Sequence, residues 1–226
     1  MCDTLICMQK IQYGVDVALK RQDDLDKKAI SEVDRFISAT KKVTVIDVGC
    51  GAGGTTTTLA QPGASVVGID ILDYSLPFEE LRNANNLSEQ QLRFIQGDIR
   101  NISALVDELS PKICLMQRVI HYMSYNDALS VLKYLRKSGV IELFISVTGL
   151  ESDIGNNYTD KNKPIQKRFC TLALEDMDRF SITQSVCLYT PEDFMFLLQD
   201  SGWTIEEYWV SAFGNIKAVC HSSVFV

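Results

Sequence analysis

The order of strands and helices follows from the pattern of apolar positions along the chain. Runs of apolar and β-branched residues predict five strands, over residues 43–48, 65–69, 92–96, 112–117 and 140–147. Apolar residues at helical spacing predict intervening helices over 77–86, 102–109 and 126–137. This alternation is typical of a parallel sheet covered by helices on both faces, whose ligands bind at the carboxyl ends of the strands.

The end of the chain breaks this alternation. The pair Thr190-Pro191 predicts the start of a last helix, which Gly202 ends. Residues 204–211 and 216–226 then predict two strands, and the Gly214-Asn215 dipeptide before the second is a hairpin signal. Because the strands of a hairpin are antiparallel, we predict an α/β fold with a doubly wound, seven-stranded and mostly parallel sheet whose C-terminal strand is antiparallel.

Two segments of the predicted single domain, which spans 1–226, lie outside the repeating pattern. Residues 1–42 are predicted to form an N-terminal helical cap, with a charged, solvated connection over 20–28. Within this cap, Tyr13 either contacts a ligand or packs between helices. Residues 148–189 form a polar insertion with a helix near 169–180, and it could be a substrate lid, a partner-binding segment or poorly ordered.

The turn after the first strand carries the clearest chemical signal. Four of the six residues 49–54 are glycine, so the backbone can turn sharply and a ligand can approach without meeting Cβ atoms. Gly49, Gly51 and Gly54 match the dinucleotide fingerprint. The alternative pattern Asp-x-Gly-x-Gly-x-Gly starts at Asp47 and ends at Gly53. The glycines therefore predict a nucleotide-type cofactor site and leave the cofactor open.

Further polar residues follow the next three strands. Asp70 ends the second strand, about 20 residues after the first glycine, where a Rossmann-type unit places an acid that binds ribose hydroxyls. Asp98 follows the third strand, where it either contacts a ligand or caps the next helix. Gln117 and His121 follow the fourth strand. Since parallel strands end at one edge of their sheet, we expect these side chains to lie near one another.

With Asp47 at the first strand, this set resembles the class I S-adenosylmethionine (SAM)-dependent methyltransferases. The resemblance covers 43–147 by motif and 190–226 by layout, and it implies SAM as the cofactor and S-adenosylhomocysteine (SAH) as the product. It implies that Asp70 holds the ribose with Ile71 beside it, that Asp98 and Ile99 contact the adenine, and that Gln117 binds the amino-acid end. It also places residues of the glycine turn against the methionyl part of SAM, namely Asp47, Gly49, Cys50, Gly51 and Gly53, with Asp47 either near the ammonium group or orienting the loop.

The activity implied by this resemblance is methyl transfer to an O, N, S or C atom of a small-molecule acceptor. Positioning of the two reactants supplies much of the rate of such a displacement. His121 is the candidate base if the acceptor must lose a proton, and otherwise it is a packed, hydrogen-bonded histidine. Tyr122 is the candidate to shape the acceptor pocket, and Arg118 is a candidate to bind a substrate carboxylate.

Two other classes of function remain open at this point. An NAD(P)-dependent oxidoreductase would need a Tyr-x-x-x-Lys pair or its equivalent, and neither Tyr134 nor Tyr158 is followed by lysine at that spacing. A non-catalytic module could instead keep the fold and bind SAM or a protein partner through residues 148–189.

Composition narrows the possible partners and location. The net charge of −7 disfavours a broad nucleic-acid surface, which needs Lys and Arg to displace phosphate counterions. The apolar runs are too short for a membrane span, and we find no secretory signal. Seven cysteines without a Cys-x-x-Cys pair predict reduced thiols in a cytoplasmic protein, although Cys2 and Cys7 could form a redox pair. With only two histidines, we predict no metal site, and the oligomeric state stays open.

Overall fold

The computed structural model describes Tyr13 and residues 22–222. The remainder of the predicted N-terminal cap, with Cys2 and Cys7, and the last four residues of the predicted final strand lie outside these described residues.

One mixed sheet forms the centre of the described chain. Its strands are β1 (Val43–Val48), β2 (Ala64–Asp70), β3 (Leu92–Gln96), β4 (Ile113–Gln117), β5 (Glu142–Thr148), β6 (Trp203–Val210) and β7 (Asn215–Ser222). Their spatial order is β3-β2-β1-β4-β5-β7-β6. The first five strands are parallel, whereas β7 runs antiparallel to both β5 and β6. The predicted fold class, including the final hairpin, is therefore confirmed.

Helices cover both faces of this sheet. They are α1 (Asp24–Thr40), α2 (Gly54–Leu59), α3 (Ser75–Asn85), α4 (Ile102–Val106), α5 (Tyr125–Lys137), α6 (Leu174–Phe180) and α7 (Pro191–Asp200). One core joins α1, α2 and α3 to the sheet, and the other core joins α4, α5 and α7 to the opposite face. Within the described ranges, no helix combines the length and the apolar character that a membrane crossing requires.

The start of α1 corrects the prediction of a solvated connection over 20–28. The helix begins at Asp24, inside that segment, and Leu25 and Asp26 are buried. Asp23 accepts hydrogen bonds from the N–H groups of both residues, and the Asp26 carboxylate accepts one from the N–H of Asp23. Because acidic side chains satisfy the free N–H groups of a first turn, this charge-rich stretch caps a helix.

The insertion at 148–189 folds around a small core of its own, which contains Tyr158, Leu172, Ile182, Val186 and Leu188. Its helix starts at Leu174, later than predicted, because Cys170 pairs with Val186 as an isolated β-bridge. The buried Arg168 donates to the carbonyls of Lys163 and Leu188 and forms a 2.6 Å ion pair with Asp193 of α7. These contacts tie the insertion to the rest of the domain, and its role as a lid stays a prediction.

Candidate functional site

The glycine turn between β1 and α2 has the sharply turned backbone that its sequence predicts. Gly49, Gly51 and Gly53 have φ angles of +72°, +51° and +84°, in the region that favours glycine. A Cβ at Gly49 would also lie 2.3 Å from Cγ2 of Val119. The turn is pinned to β2, since the N–H of Gly49 donates to the Ile69 carbonyl at 2.7 Å.

Asp47 lies beneath this turn. Its carboxylate is 5% exposed and accepts a 2.6 Å hydrogen bond from the Thr56 hydroxyl at the start of α2. Cys50, in the turn itself, is also buried. The Thr56 contact joins the two ends of the strand–turn–helix unit, so the predicted orienting role of Asp47 has a structural basis.

Asp70 connects the end of β2 to the glycine turn. Its Oδ2 accepts a 3.0 Å hydrogen bond from the N–H of Gly51, and its Oδ1 accepts one of 3.0 Å from the N–H of Leu72. A carboxylate can accept about four hydrogen bonds, so such backbone contacts are compatible with ribose hydroxyls on the same group. Ile71 is 38% exposed at the same edge.

Asp98 caps the short 3-10 turn Ile99–Asn101, which precedes the helix that its capping interpretation concerned. Its carboxylate accepts a 2.9 Å hydrogen bond from the N–H of Arg100 and also pairs with the Arg100 guanidinium, which lowers its pKa. Ile99 packs into the core and is 7% exposed. The adenine contacts of Asp98 and Ile99 stay predictions.

Gln117, at the end of β4, donates from Nε2 to Oδ1 of Asp26 at 2.5 Å. Asp26 is 2% exposed, and this burial raises its pKa. Sequence reasoning missed Asp26, because it assigned the segment to solvent. The available signal was the spacing of Asp23 and Asp26, which is that of a capping box.

His121 lies in the 3-10 turn Ile120–Tyr122 that follows β4. It is 2% exposed, and burial, with a smaller effect from Arg118, lowers its pKa to about 3. Among the described residues, its Nδ1 has no hydrogen-bond partner. The imidazole is therefore neutral at pH 7. An efficient general base has a pKa near the working pH, and the pKa of His121 lies well below it, so His121 is a weak base. Its catalytic role stays a prediction.

Tyr122 and Tyr13 connect this turn to the N-terminal segment. The Tyr122 hydroxyl donates to the Tyr13 carbonyl at 2.7 Å, and the two rings meet edge to face at 5.2 Å. Burial raises the pKa of the Tyr13 phenol, whereas the charge of Arg100 lowers it and the charges of Asp98 and Asp70 raise it. Tyr13 thus packs against Tyr122 of the 3-10 turn, and its contact with a ligand stays a prediction.

Arg118 is unusual in its backbone, with a φ of +54°. Its N–H donates to the Ser146 carbonyl at 2.9 Å, across the ends of β4 and β5. Strained non-glycine residues of this kind cluster at functional sites. Its predicted contact with a substrate carboxylate remains untested.

The structure brings the predicted residues to one edge of the sheet, at the ends of β1 to β4. Within residues 22–222 and at Tyr13, no three His, Cys, Asp or Glu side chains converge as a metal site requires. Four cysteines in this part of the chain are free thiols, at positions 114, 170, 187 and 220. The edge offers carboxylates and a bare backbone turn, which suit an organic ligand with hydroxyl groups.

A family model described as a methyltransferase domain matches residues 39–188, which include this whole edge. The chain belongs to the methyltransferase domain family. Membership favours methyl transfer over the oxidoreductase alternative, in agreement with the antiparallel β7.

Individual relatives of this methyltransferase are distant. YqeM of Bacillus subtilis, a methyltransferase by inference, is 22% identical over an alignment 191 residues long that covers 74% of this chain and 76% of YqeM. The PH0226 protein of Pyrococcus horikoshii has a TM-score of 0.62 at 17% identity, with 92% of this chain and 96% of that chain covered. The Burkholderia thailandensis 1,6-didemethyltoxoflavin-N1-methyltransferase, solved with its substrate and SAH, has a TM-score of 0.60 at 15% identity, over 89% of this chain and 79% of that chain. These structural similarities show a shared fold.

Proposed function

We propose that this methyltransferase uses SAM to methylate a small-molecule acceptor. The observation that carries the proposal is the 3.0 Å hydrogen bond between the N–H of Gly51 and the carboxylate of Asp70. This hydrogen bond places the Asp70 carboxylate, which is suited to binding ribose hydroxyls, directly beside the glycine backbone of the turn. The SAH bound to the toxoflavin methyltransferase, which shares the fold, supports the same cofactor here.

The cofactor contacts follow the order of the strands. The glycine turn lies against the methionyl part, with Asp47 holding the turn through Thr56. Asp70 binds the ribose, and Asp98 and Ile99 lie where the adenine would extend along the edge. When bound, SAM supplies an electrophilic methyl group on its sulfonium. The chain itself contributes binding and orientation of the two reactants, which account for much of the rate.

The acceptor side is formed by the turn after β4 and the insertion. His121 lies in that turn, and its carbonyl accepts a 2.7 Å hydrogen bond from the N–H of Cys187, in the insertion. Tyr122 packs with the core of the insertion. We infer that His121 and Tyr122 shape the acceptor pocket, that the insertion covers it as a lid, and that an already ionised or readily ionised acceptor needs no strong base.

The proposed acceptor is a small molecule because the net charge of −7 is unsuited to phosphate backbones, and because the toxoflavin enzyme acts on a small molecule. We propose a cytoplasmic location on the basis of the free thiols of Cys114, Cys170, Cys187 and Cys220.

The test is calorimetric titration of the purified protein with SAH and, separately, with NAD(H) and NADP(H). Micromolar binding of SAH alone supports the proposal and justifies a screen of acceptors. Binding of a nicotinamide nucleotide without SAH overturns it. Binding of SAH without turnover on any acceptor would favour the non-catalytic module.

A further inference from the structure

A row of polar side chains crosses four strands on the face that α1 covers. Gln117 of β4 pairs with Ser146 of β5, Ser146 with Lys217 of β7, and Lys217 with Trp209 of β6. Paired residues on adjacent strands point to the same side of a sheet, so these four side chains form one line. We call it the cross-sheet row. It begins beside the glycine turn, because Gln117 follows Met116, the partner of Val48 on β1.

The first turn of α1 is held by three members of this row. Lys217, only 5% exposed, forms ion pairs with Asp24 and, at 2.7 Å, with Asp23. The indole N–H of Trp209 donates to Asp24 at 2.7 Å. A buried ammonium needs such carboxylate partners, so Lys217 determines where the helix can start relative to the sheet. The third member is Gln117, which bonds to Asp26.

The contact with Asp26 decides how the Gln117 amide is oriented. An ionised carboxylate can only accept hydrogen bonds, so it must face the NH2 end of the amide. Nε2 accordingly lies 2.5 Å from Oδ1 of Asp26. The carbonyl end is left with a long 3.5 Å contact from the Ser146 hydroxyl. Oε1 is thus a weakly satisfied acceptor beside the glycine turn.

We propose that Asp26 is a positioning residue that fixes which end of the Gln117 amide meets the cofactor. By holding Nε2, it presents Oε1 as the acceptor for the ammonium group at the amino-acid end of SAM or SAH. The first turn of α1 is therefore part of the cofactor site, although its acids do not touch the cofactor. This inference rests on the proposed function.

The burial of Asp26 supports a role beyond stability. Burial raises its pKa, so the ionised form is less favourable in the folded protein than in the unfolded chain. Through this shift the protonated form favours the fold at low pH, and that contribution is lost as the pH rises through the folded pKa. A buried acid whose pKa is raised in this way is typical of a functional position.

The experiment compares two ligands on the full chain by calorimetry: SAH, and 5′-methylthioadenosine, which lacks the amino-acid end. In Asp26→Asn the new NH2 group can turn toward Gln117 and reverse its amide. We expect SAH affinity to fall roughly tenfold, the size of one net hydrogen bond, with methylthioadenosine affinity unchanged and thermal stability unchanged or raised. Asp34→Asn, an exposed site on the same helix, is the matched control and should change neither affinity.

Gln117→Leu provides a second variant that leaves the capping acids of α1 intact. It should weaken the binding of SAH and leave the binding of methylthioadenosine unchanged. Adding Asp26→Asn to this variant should not lower the SAH affinity further. Three results would each overturn the proposal. They are equal losses of affinity for both ligands, an unchanged SAH affinity in Asp26→Asn, and losses of SAH affinity that add in the double variant. A wild-type protein that binds methylthioadenosine but not SAH would also overturn it, whereas one that binds neither removes the proposed function itself.

Discussion

Replacing Asp70 by alanine should weaken both the fold and the cofactor site. The carboxylate accepts hydrogen bonds from the N–H groups of Gly51 and Leu72, each at 3.0 Å. Charge-assisted bonds contribute roughly 1.5–3 kcal/mol each, but Asp70 is partly exposed and water can replace it as an acceptor. We therefore expect a loss of about 1–3 kcal/mol in the free energy of unfolding, and a Tm lower by about 2–4 °C per kcal/mol.

The same change should weaken SAH binding by about 1–3 kcal/mol, or roughly 5–150-fold in Kd, because two ribose hydroxyls lose a charged partner. Calorimetric titration well below the lowered Tm measures this loss in fully folded protein. The turn that carries Gly51 also loses its anchor to β2, so part of the loss reflects a less preorganised site.

Asp73→Ala is the matched control for Asp70. Asp73 is exposed, lies three residues further along the chain, and accepts hydrogen bonds from the N–H and the hydroxyl of Ser75. We expect its SAH affinity to equal that of the wild type. If Asp70→Ala binds SAH as tightly as the wild type, Asp70 does not bind the ribose. If only Asp73→Ala loses affinity for SAH, Asp73 is the acid that binds the ribose. An unchanged Tm in Asp70→Ala would refute its bracing of the turn.

Three further predictions follow from single contacts. His121→Ala should lower turnover on an identified acceptor more than it lowers SAH affinity, and equal turnover would assign His121 to packing. Gly49→Ala should lower the free energy of unfolding, measured by urea denaturation, by about 1–3 kcal/mol, because the φ of Gly49 is +72° and the new Cβ would lie 2.3 Å from Val119. An unchanged free energy of unfolding would contradict this prediction. Burial raises the pKa of Glu142 to about 7, so its stabilising contribution is lost as the pH rises from about 4.5 through 7. Glu142→Gln should therefore raise the Tm above pH 7 and leave it nearly unchanged below pH 5, unlike the exposed control Glu89→Gln.

Local patterns predicted the strands, most helices and the glycine turn. A strand buried on both faces is rich in apolar and β-branched residues, and β1 has this composition. The helix α7 starts at Thr190-Pro191 as predicted, with a capping box between Thr190 and Asp193, because capping depends on neighbours within one turn. Helix ends were less accurate: α4 stops at Val106, short of the predicted position 109.

Contacts between distant segments were not predictable in this way. Gln117 and Asp26 lie 91 positions apart, and only the packing of α1 on the sheet brings them together. The charged residues around Asp26 indicated a solvent-exposed segment. The first turn of α1 is nevertheless partly buried, because its acids are paired by capping hydrogen bonds and by the ion pair with Lys217. Asp98 was correctly placed at the edge, but its pairing with Arg100 depends on side-chain orientation, which no periodicity describes.

By itself, the sequence determined the α/β class, the succession of strands and helices with its final antiparallel hairpin, and the sheet edge at which the candidate cofactor residues lie. Each of these depends on the period of burial along a strand or helix and on turn chemistry, which are local properties. Only the tertiary structure decided that Asp70 braces the glycine turn, that His121 is buried and that the first turn of α1 reaches Gln117. The physical reason is that a side chain's partner and pKa depend on which distant elements exclude water from it.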